Sequence, residues 1–539
     1  MIATLLLLSC GGPADPLGAL DAEYVEIRAG LAIADRDTSR NVQNKEARAR
    51  KIEHEQARVA FFSDGEVAAT IDEARKSSDP TTAWKGEAYW REALLVRSWT
   101  EAEKERETEL LAAIEDLRHA EATWSTEEGT EIALNGRWES VSEGADTLSA
   151  DERAELAAAW TSHRVVWIGS DLEELVRLRN EVARREGFDT YWELALAHRG
   201  LTPEQVDELD ASISALVTPH NTRRAAALEH MAKELELPLD FANAPLLGRR
   251  AGLTLDRTET DAWFDSDLAE ERVTTALGDL GISTEGLQLY IGPTRYARSG
   301  AYSFPIRPPQ HAAVVLSNDT RWSDWPYRGL LHEVGLAIWW RSLPADHASS
   351  PVTWQPPTPW FEGFGDFFER MLFDELFLAT YVPEVPEESR AVYAASRVQG
   401  TIQTLSWYLG CTRAERMLYE RPGEWEAISA QLAGQERALR GEHFDAPPGD
   451  IAYTSFLQSG LMLNYPAYVQ NFLFSSATEA RLWEAATEAV GHPVANPKLG
   501  PWVVDLVHSV GPGKSFEQRL DELSGGDRTD ALQRYLSGG

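Results

Sequence analysis

The sequence predicts a mainly helical chain carrying one small β patch, and three observations lead there. From about Asp21 to Leu237 apolar residues recur at three- and four-residue spacing and Pro is rare. Between about Pro238 and Asp324 this gives way to short β-compatible runs among Pro and Gly. Helical text resumes at Pro326 and continues, with breaks, to Leu536.

In the first stretch Ala, Glu, Arg and Leu dominate, all good helix formers. Ser149-Ala-Asp-Glu152 and Ser170-Asp-Leu-Glu173 read as capping boxes, a hydroxyl at the cap and a carboxylate three residues on. Thr202-Pro203-Glu204-Gln205 opens another helix with Pro at its first position. Gly187 and Gly200 read as helix stops. Glu87 to Trp124, with alternating Glu and Lys/Arg, reads as one long surface helix. In the second stretch Gln288–Ile291 and Ala312–Leu316 are expected strands of a small antiparallel sheet. Pro351–Pro359 and Ala446–Gly449 are expected loops.

Apolar residues are 43% of 539, enough for a sizeable core, and 19 tryptophans are available to fill core and cleft walls. Lys and Arg number 51 against 86 Asp and Glu, a formal net charge of −35. Such a polyanion repels phosphate backbones, so nucleic acid is excluded as a partner. Only two cysteines are present, Cys10 and Cys411, which rules out a disulfide framework. The opening Met-Ile-Ala-Thr-Leu-Leu-Leu-Leu-Ser-Cys is too short to span a bilayer. Leu-Leu-Ser-Cys10 followed by Gly-Gly looks like a bacterial lipobox, although the usual positive charges before the apolar stretch are absent. It gives the expectation of a lipid anchor at Cys10, a tether over Gly11–Gly18 and a cell-envelope location. Residues 1–20 are then signal and tether, 21–270 an N-terminal helical region, and 271–539 the region holding the site.

The chemistry is concentrated in three segments. Arg328-Gly-Leu-Leu-His332-Glu333-Val-Gly-Leu336 places His332 and Glu333 on an expected helix. Two histidines four residues apart share a helix face and can hold one zinc, with the intervening Glu as general base. Here the second of those positions is Leu336. Trp360-Phe-Glu362-Gly-Phe-Gly-Asp366-Phe-Phe-Glu369 carries two carboxylates, Glu362 and Asp366, one helical turn apart in an aromatic stretch where a buried charge needs a partner. Asn464-Tyr465-Pro-Ala-Tyr468 brings two phenols onto one helix face at i, i+3, and a phenol can donate to a developing oxyanion.

Together these segments resemble the gluzincin zinc peptidases related to angiotensin-converting enzyme and oligoendopeptidase F. Leu175–Phe188 with Tyr191-Trp192 is similar to a helix pair upstream of the converting-enzyme site. Arg298-Ser-Gly-Ala-Tyr-Ser303 with Val314–Asn318 looks like the oligoendopeptidase edge strand. Gly513–Phe516 with Leu520–Gly525 resembles the converting-enzyme C-terminal helix and turn. The resemblance implies a large helical ellipsoid of two subdomains around a deep cleft, with the small sheet on one wall. It makes His332 and Glu362 zinc ligands, Glu333 the general base, and Asp366 the group that orients His332. Tyr468 would stabilise the oxyanion, and Tyr465 would bind the substrate's terminal carboxylate or backbone. Gly300 and Ala301 would pair with a short peptide as an added strand.

Two departures bear on activity. Leu336 cannot ligate, and catalytic zinc normally takes three protein ligands and a water, so weak or absent zinc binding is expected. The families place a substrate-binding histidine shortly before the tyrosines, where this chain has Gln458 and Ser459. His311 and His347 are the nearest substitutes in sequence. Ala467 stands where converting enzymes carry a chloride-associated arginine, so chloride activation is not expected. Three readings stay open: a short-peptide hydrolase, a pseudopeptidase that captures peptides without cleaving them, and an envelope scaffold.

Overall fold

Helices carry most of the chain in the computed structural model, which describes residues 17–126, 128–134, 138–143, 145–166, 169–253, 260–293, 297–298, 300–318, 323–354, 356–440, 460–509, 514–523 and 529–537. Cys10, most of the expected tether, the 446–449 loop, Gln458, Ser459, Gly513 and Gly525 lie outside the described residues.

Helices α1 (Gly18–Arg40) and α2 (Lys45–Ser63) pack on each other, and α3 (Gly65–Arg75) packs on α4 (Pro80–Leu94). Asn44, Asp64 and Asp79 cap α2, α3 and α4 by accepting from the first-turn N–H groups. The single helix expected over Glu87–Trp124 is broken. Helix α4 ends at Leu94 and α5 runs Glu101–His119. Thr100 and Glu103 form a reciprocal capping box at the break, where the hydroxyl and the carboxylate satisfy free N–H groups that a continuous helix would not have. A short antiparallel hairpin, β1 (Thr123–Ser125) and β2 (Glu131–Ala133), then interrupts the helical text. Next come α6 (Trp138–Glu143), α7 (Ala150–Val165), α8 (Ser170–Arg185), α9 (Tyr191–His198), α10 (Pro203–Glu234) and α11 (Ala244–Arg250). The box at Ser149 forms as the sequence suggests, and the helix expected to open at Thr202 does so with a reciprocal cap between Thr202 and Gln205. At α8 the cap is Gly169, so Ser170 lies inside the helix. Gly187 and Gly200 adopt left-handed φ of 87° and 75° past the ends of α8 and α9.

The larger sheet has the order β3-β5-β4, with β3 (Leu287–Pro293), β4 (Ala301–Arg307) and β5 (His311–Asn318). It is mixed, where the sequence suggests an antiparallel sheet. β4 and β5 form the antiparallel hairpin, but β3 runs parallel to β5 because β4 takes β5's other edge. Helix α1 covers one face, where Ala32 joins Phe304, Ile306, Ala313 and Val315 in a small apolar cluster.

A buried helix, Trp325–Arg341, packs against β4 and β5 and also against a second helix, Thr358–Arg370. That second helix packs in turn on a third, Gln470–Val490. These three are called here the histidine, carboxylate and C-terminal site helices. Their close approach depends on glycine. A Cβ at Gly335 would lie 2.8 Å from the Phe368 ring, one at Gly363 would lie 2.4 Å from Thr478 Cβ, and one at Gly365 would lie 2.8 Å from His332 Cε1. The three site helices and the long helix Glu387–Glu420 contribute to one continuous hydrophobic core. Among the described residues no helix is long and apolar enough to cross a membrane.

Candidate active site in the cleft

A cavity of about 2970 Å³ runs through the molecule, lined by α1, α2, β4, the site helices and the Glu387–Glu420 helix. His332, Glu333 and Leu336 reach it from the histidine helix, Glu362 and Asp366 from the carboxylate helix, and Tyr465 and Tyr468 from the turn before the C-terminal site helix.

His332 is surrounded by carboxylates. Its Nε2 lies 3.4 Å from Glu362 Oε2, and its Nδ1 lies 3.2 Å from Asp366 Oδ1 and 3.7 Å from Glu369 Oε2. Burial works against charge on the ring, but hydrogen bonds to Asp366, Glu362 and Glu369 outweigh it and hold the imidazole well above its ordinary pKa. Glu333 is buried beside it. Desolvation pushes its carboxyl up to about 7, against the opposing pull of His332 and a hydrogen bond from Ser303 on β4. The Tyr468 hydroxyl donates to Glu362 Oε1, and burial with that carboxylate alongside raises the phenol well above its usual range. The Ser475 hydroxyl donates to Asp366 at 2.7 Å.

Glu369 is the member that sequence reasoning missed. It follows Glu362 and Asp366 at the spacing that keeps all three on one helix face, a signal present in the sequence. Arg328 and Arg397 each approach its Oε1 to 2.9 Å and hold its carboxyl well below the normal value despite burial. Arg397 also lies 3.6 Å from buried Glu479, whose carboxyl burial pushes up to about 7.

The tyrosines do not lie on a helix. A short helix ends at Asn464, Pro466 follows Tyr465, and Ala467 takes a left-handed φ of 54°, so the pair occupies a turn. Side chains from other parts of the fold hold that turn. Glu415 accepts from the Ala467 N–H at 2.8 Å, Arg199 donates to Pro466 O at 3.0 Å, and Arg179 donates to Leu463 O at 2.7 Å. The two rings are 6.0 Å apart, and Arg199 lies over Tyr468 at 4.7 Å. Gly300 also differs from expectation. Its N–H donates to Ser317 Oγ at 2.8 Å and its carbonyl accepts from Ser317 N at 2.9 Å, so both groups are engaged on β5. By antiparallel alternation, Ala301 and Ser303 turn their backbone groups to the open edge instead.

The donor set does not fit a catalytic zinc. His332 Nε2 and Glu362 face each other, but the i+4 position presents Leu336, 5% exposed, whose methyl packs with His332 against Gly365. Neither His311 nor His347 lines the cleft. His332, Asp366 and Glu369 do bring potential donor atoms within 4.8 Å of one another. In that group, however, two guanidiniums already neutralise Glu369 and Ser475 occupies Asp366.

No family model matches the chain, and no curated protein matches it in sequence. Solved structures match in fold. The chain is similar to the M32 carboxypeptidase from Deinococcus radiodurans R1 at 12% identity and TM-score 0.63, over 97% of this chain and 98% of the other. It is similar to a Pyrococcus furiosus carboxypeptidase at 12% identity and TM-score 0.66, over 98% and 99%. It is also similar to a chain described as an oligoendopeptidase F at 14% identity and TM-score 0.66, over 97% and 92%. The chain therefore shares the overall fold of these solved structures.

Proposed function

We propose that the protein is a pseudopeptidase: it holds short peptides in the cleft and does not hydrolyse them through a resident zinc. The observation that carries this reading is Leu336, a hydrocarbon lining the cleft where a ligand is required. Both His332 nitrogens face carboxylates, and binding a metal would require the ring to give up a proton. Support for peptide capture comes from the open edge at Ala301 and Ser303 beside Glu333, and from a fold shared with peptidases.

A hydrolase reading draws on Glu333, whose carboxyl titrates near neutrality, the right range for a general base. Zinc content after purification with added zinc, measured with peptide titration and mass-spectrometric product analysis, separates the two. The pseudopeptidase reading expects substoichiometric zinc, saturable peptide binding and intact peptides. One zinc per chain with chelator-sensitive cleavage would overturn it. Leu336→His should raise zinc affinity by about tenfold or more. An unchanged affinity would remove the assignment of this helix face to a metal lineage.

We read the chain further as an envelope lipoprotein, on the Leu-Leu-Ser-Cys10 motif alone. Cys10→Ser should move the protein from the membrane to the soluble fraction and abolish labelling by a radioactive fatty acid. A labelled, membrane-bound variant would refute that placement.

A further inference from the structure

The cleft wall formed by α1, α2 and β4 pairs its cations with acids, with one exception. Lys51 lies 2.5 Å from Asp35, Arg58 lies 2.9 Å from Glu55, and Arg28 lies 3.7 Å from Glu92. Arg298, at the foot of β4, has no carboxylate within 4.0 Å among the described residues. Its guanidinium stacks 4.5 Å from the Tyr302 ring and bonds the phenol of Tyr465, and the acid whose charge reaches it, Asp35, is already paired with Lys51. Its backbone is fixed, since the N–H donates to Ser39 O at the end of α1 at 2.8 Å. Arg298 therefore lines the cavity with no acid in contact among the described residues. On this wall the lining cations Arg28, Lys51, Arg58 and Arg298 outnumber the lining acids Asp35 and Glu55.

We infer that Arg298 is a specificity-determining carboxylate anchor, which binds an acidic group of the captured peptide, either its terminal carboxylate or an acidic side chain. The inference rests on the peptide-binding reading above. The planar guanidinium fork matches a carboxylate with two parallel hydrogen bonds, and stacking on Tyr302 presets its plane. Tyr465, 41% exposed beside it, offers a further donor to the same anion. Ala301 and Ser303 follow three and five residues later along the edge, so a peptide held there has its backbone on β4 and its acid on Arg298.

The test uses the full chain and four N-acetylated hexapeptides of one neutral sequence. The first has a free C-terminus and the second is its amide. The third and fourth are amides with a central Glu or a central Gln. Calorimetric titration should show a carboxylate-bearing member binding about tenfold or more tightly than its neutral counterpart. The member that gains identifies whether the terminal or the side-chain carboxylate is bound. Arg298→Gln should abolish the difference between each carboxylate-bearing peptide and its neutral counterpart, and Arg298→Lys should keep part of it. Equal binding of all four peptides, or discrimination that survives Arg298→Gln, overturns the anchor and leaves peptide capture standing. Failure of all four to bind at millimolar concentration overturns the peptide-binding reading and the anchor with it.

Discussion

Single residues define this site, and Leu336 shows how far a sequence can expose one. Its spacing from His332 identifies it before any coordinates do, because helix geometry leaves no other position for a second ligand on that turn. Glu362 and Asp366 are legible as carboxylates one helical turn apart in an aromatic stretch, whereas Tyr468 was singled out by a helix-face spacing that the turn at Pro466 and Ala467 replaces. Glu369 was equally visible in spacing, but its two arginines come from residues 41 and 28 positions away, and no local pattern announces them. Glu415 was not legible at all, since its partner is the backbone of a turn 52 residues on. It is fully buried, and burial pushes its carboxyl up to about 8. A carboxyl with a raised folded pKa binds its proton more tightly in the folded chain than in the unfolded one. Its contribution is therefore intact below the ordinary carboxylate pKa, and stability falls as the pH rises toward 8. Glu415→Gln keeps an acceptor for Ala467 and removes the ionisation. The variant is expected to melt about 1–3 °C above the parent at pH 9 and level with it at pH 4. A gain of equal size at both values would contradict the assignment.

Elements are specified by caps and by the closeness of helix axes. The helices of the first half follow from propensity and apolar period, and the capping box at Ser149 and the helix start at Thr202 were readable. The break at Leu95–Thr100 was hidden by a charge pattern that suits a helix on either side of it. Thr100→Ala should cost about 1 kcal/mol in a urea melt and speed amide exchange in the first turn of α5. The β1–β2 hairpin and the parallel pairing of β3 with β5 were invisible, although β3 itself was expected, because short strands and their pairings are fixed by their neighbours more than by their own residues. Contact between the histidine and carboxylate helices passes through Gly365, where a side chain would meet both His332 and Leu336. Gly365→Ala is expected to destabilise the protein by about 1–3 kcal/mol through overpacking. It should also raise exchange rates along both helices. An unperturbed variant would mean that the helices are not held at this separation.

At the scale of the molecule, surface and cleft follow different charge rules. The chain as a whole is strongly acidic, yet beside His332 the Glu369 carboxylate is met by Arg328 from the histidine helix and Arg397 from the Glu387–Glu420 helix. Positive charge that a metal would supply is here supplied by side chains. A chelator should therefore leave the melting temperature within about 1 °C of its value in excess zinc, since a ligand that binds the folded state stabilises it in proportion to its occupancy. A rise of several degrees on adding zinc would show that the folded state has a real metal site. The overall architecture was legible only through resemblance, because apolar period alone reports helices and not how they enclose a space.

Ser317 holds both backbone groups of Gly300, and this turns the rim of the sheet into a ruler. A partner strand laid there can advance only in steps of two residues, because every second unit along β4 faces away from it. Neighbouring residues of a guest would then present opposite sides to Glu333, so the pleat itself would fix which alternate positions of the guest meet it.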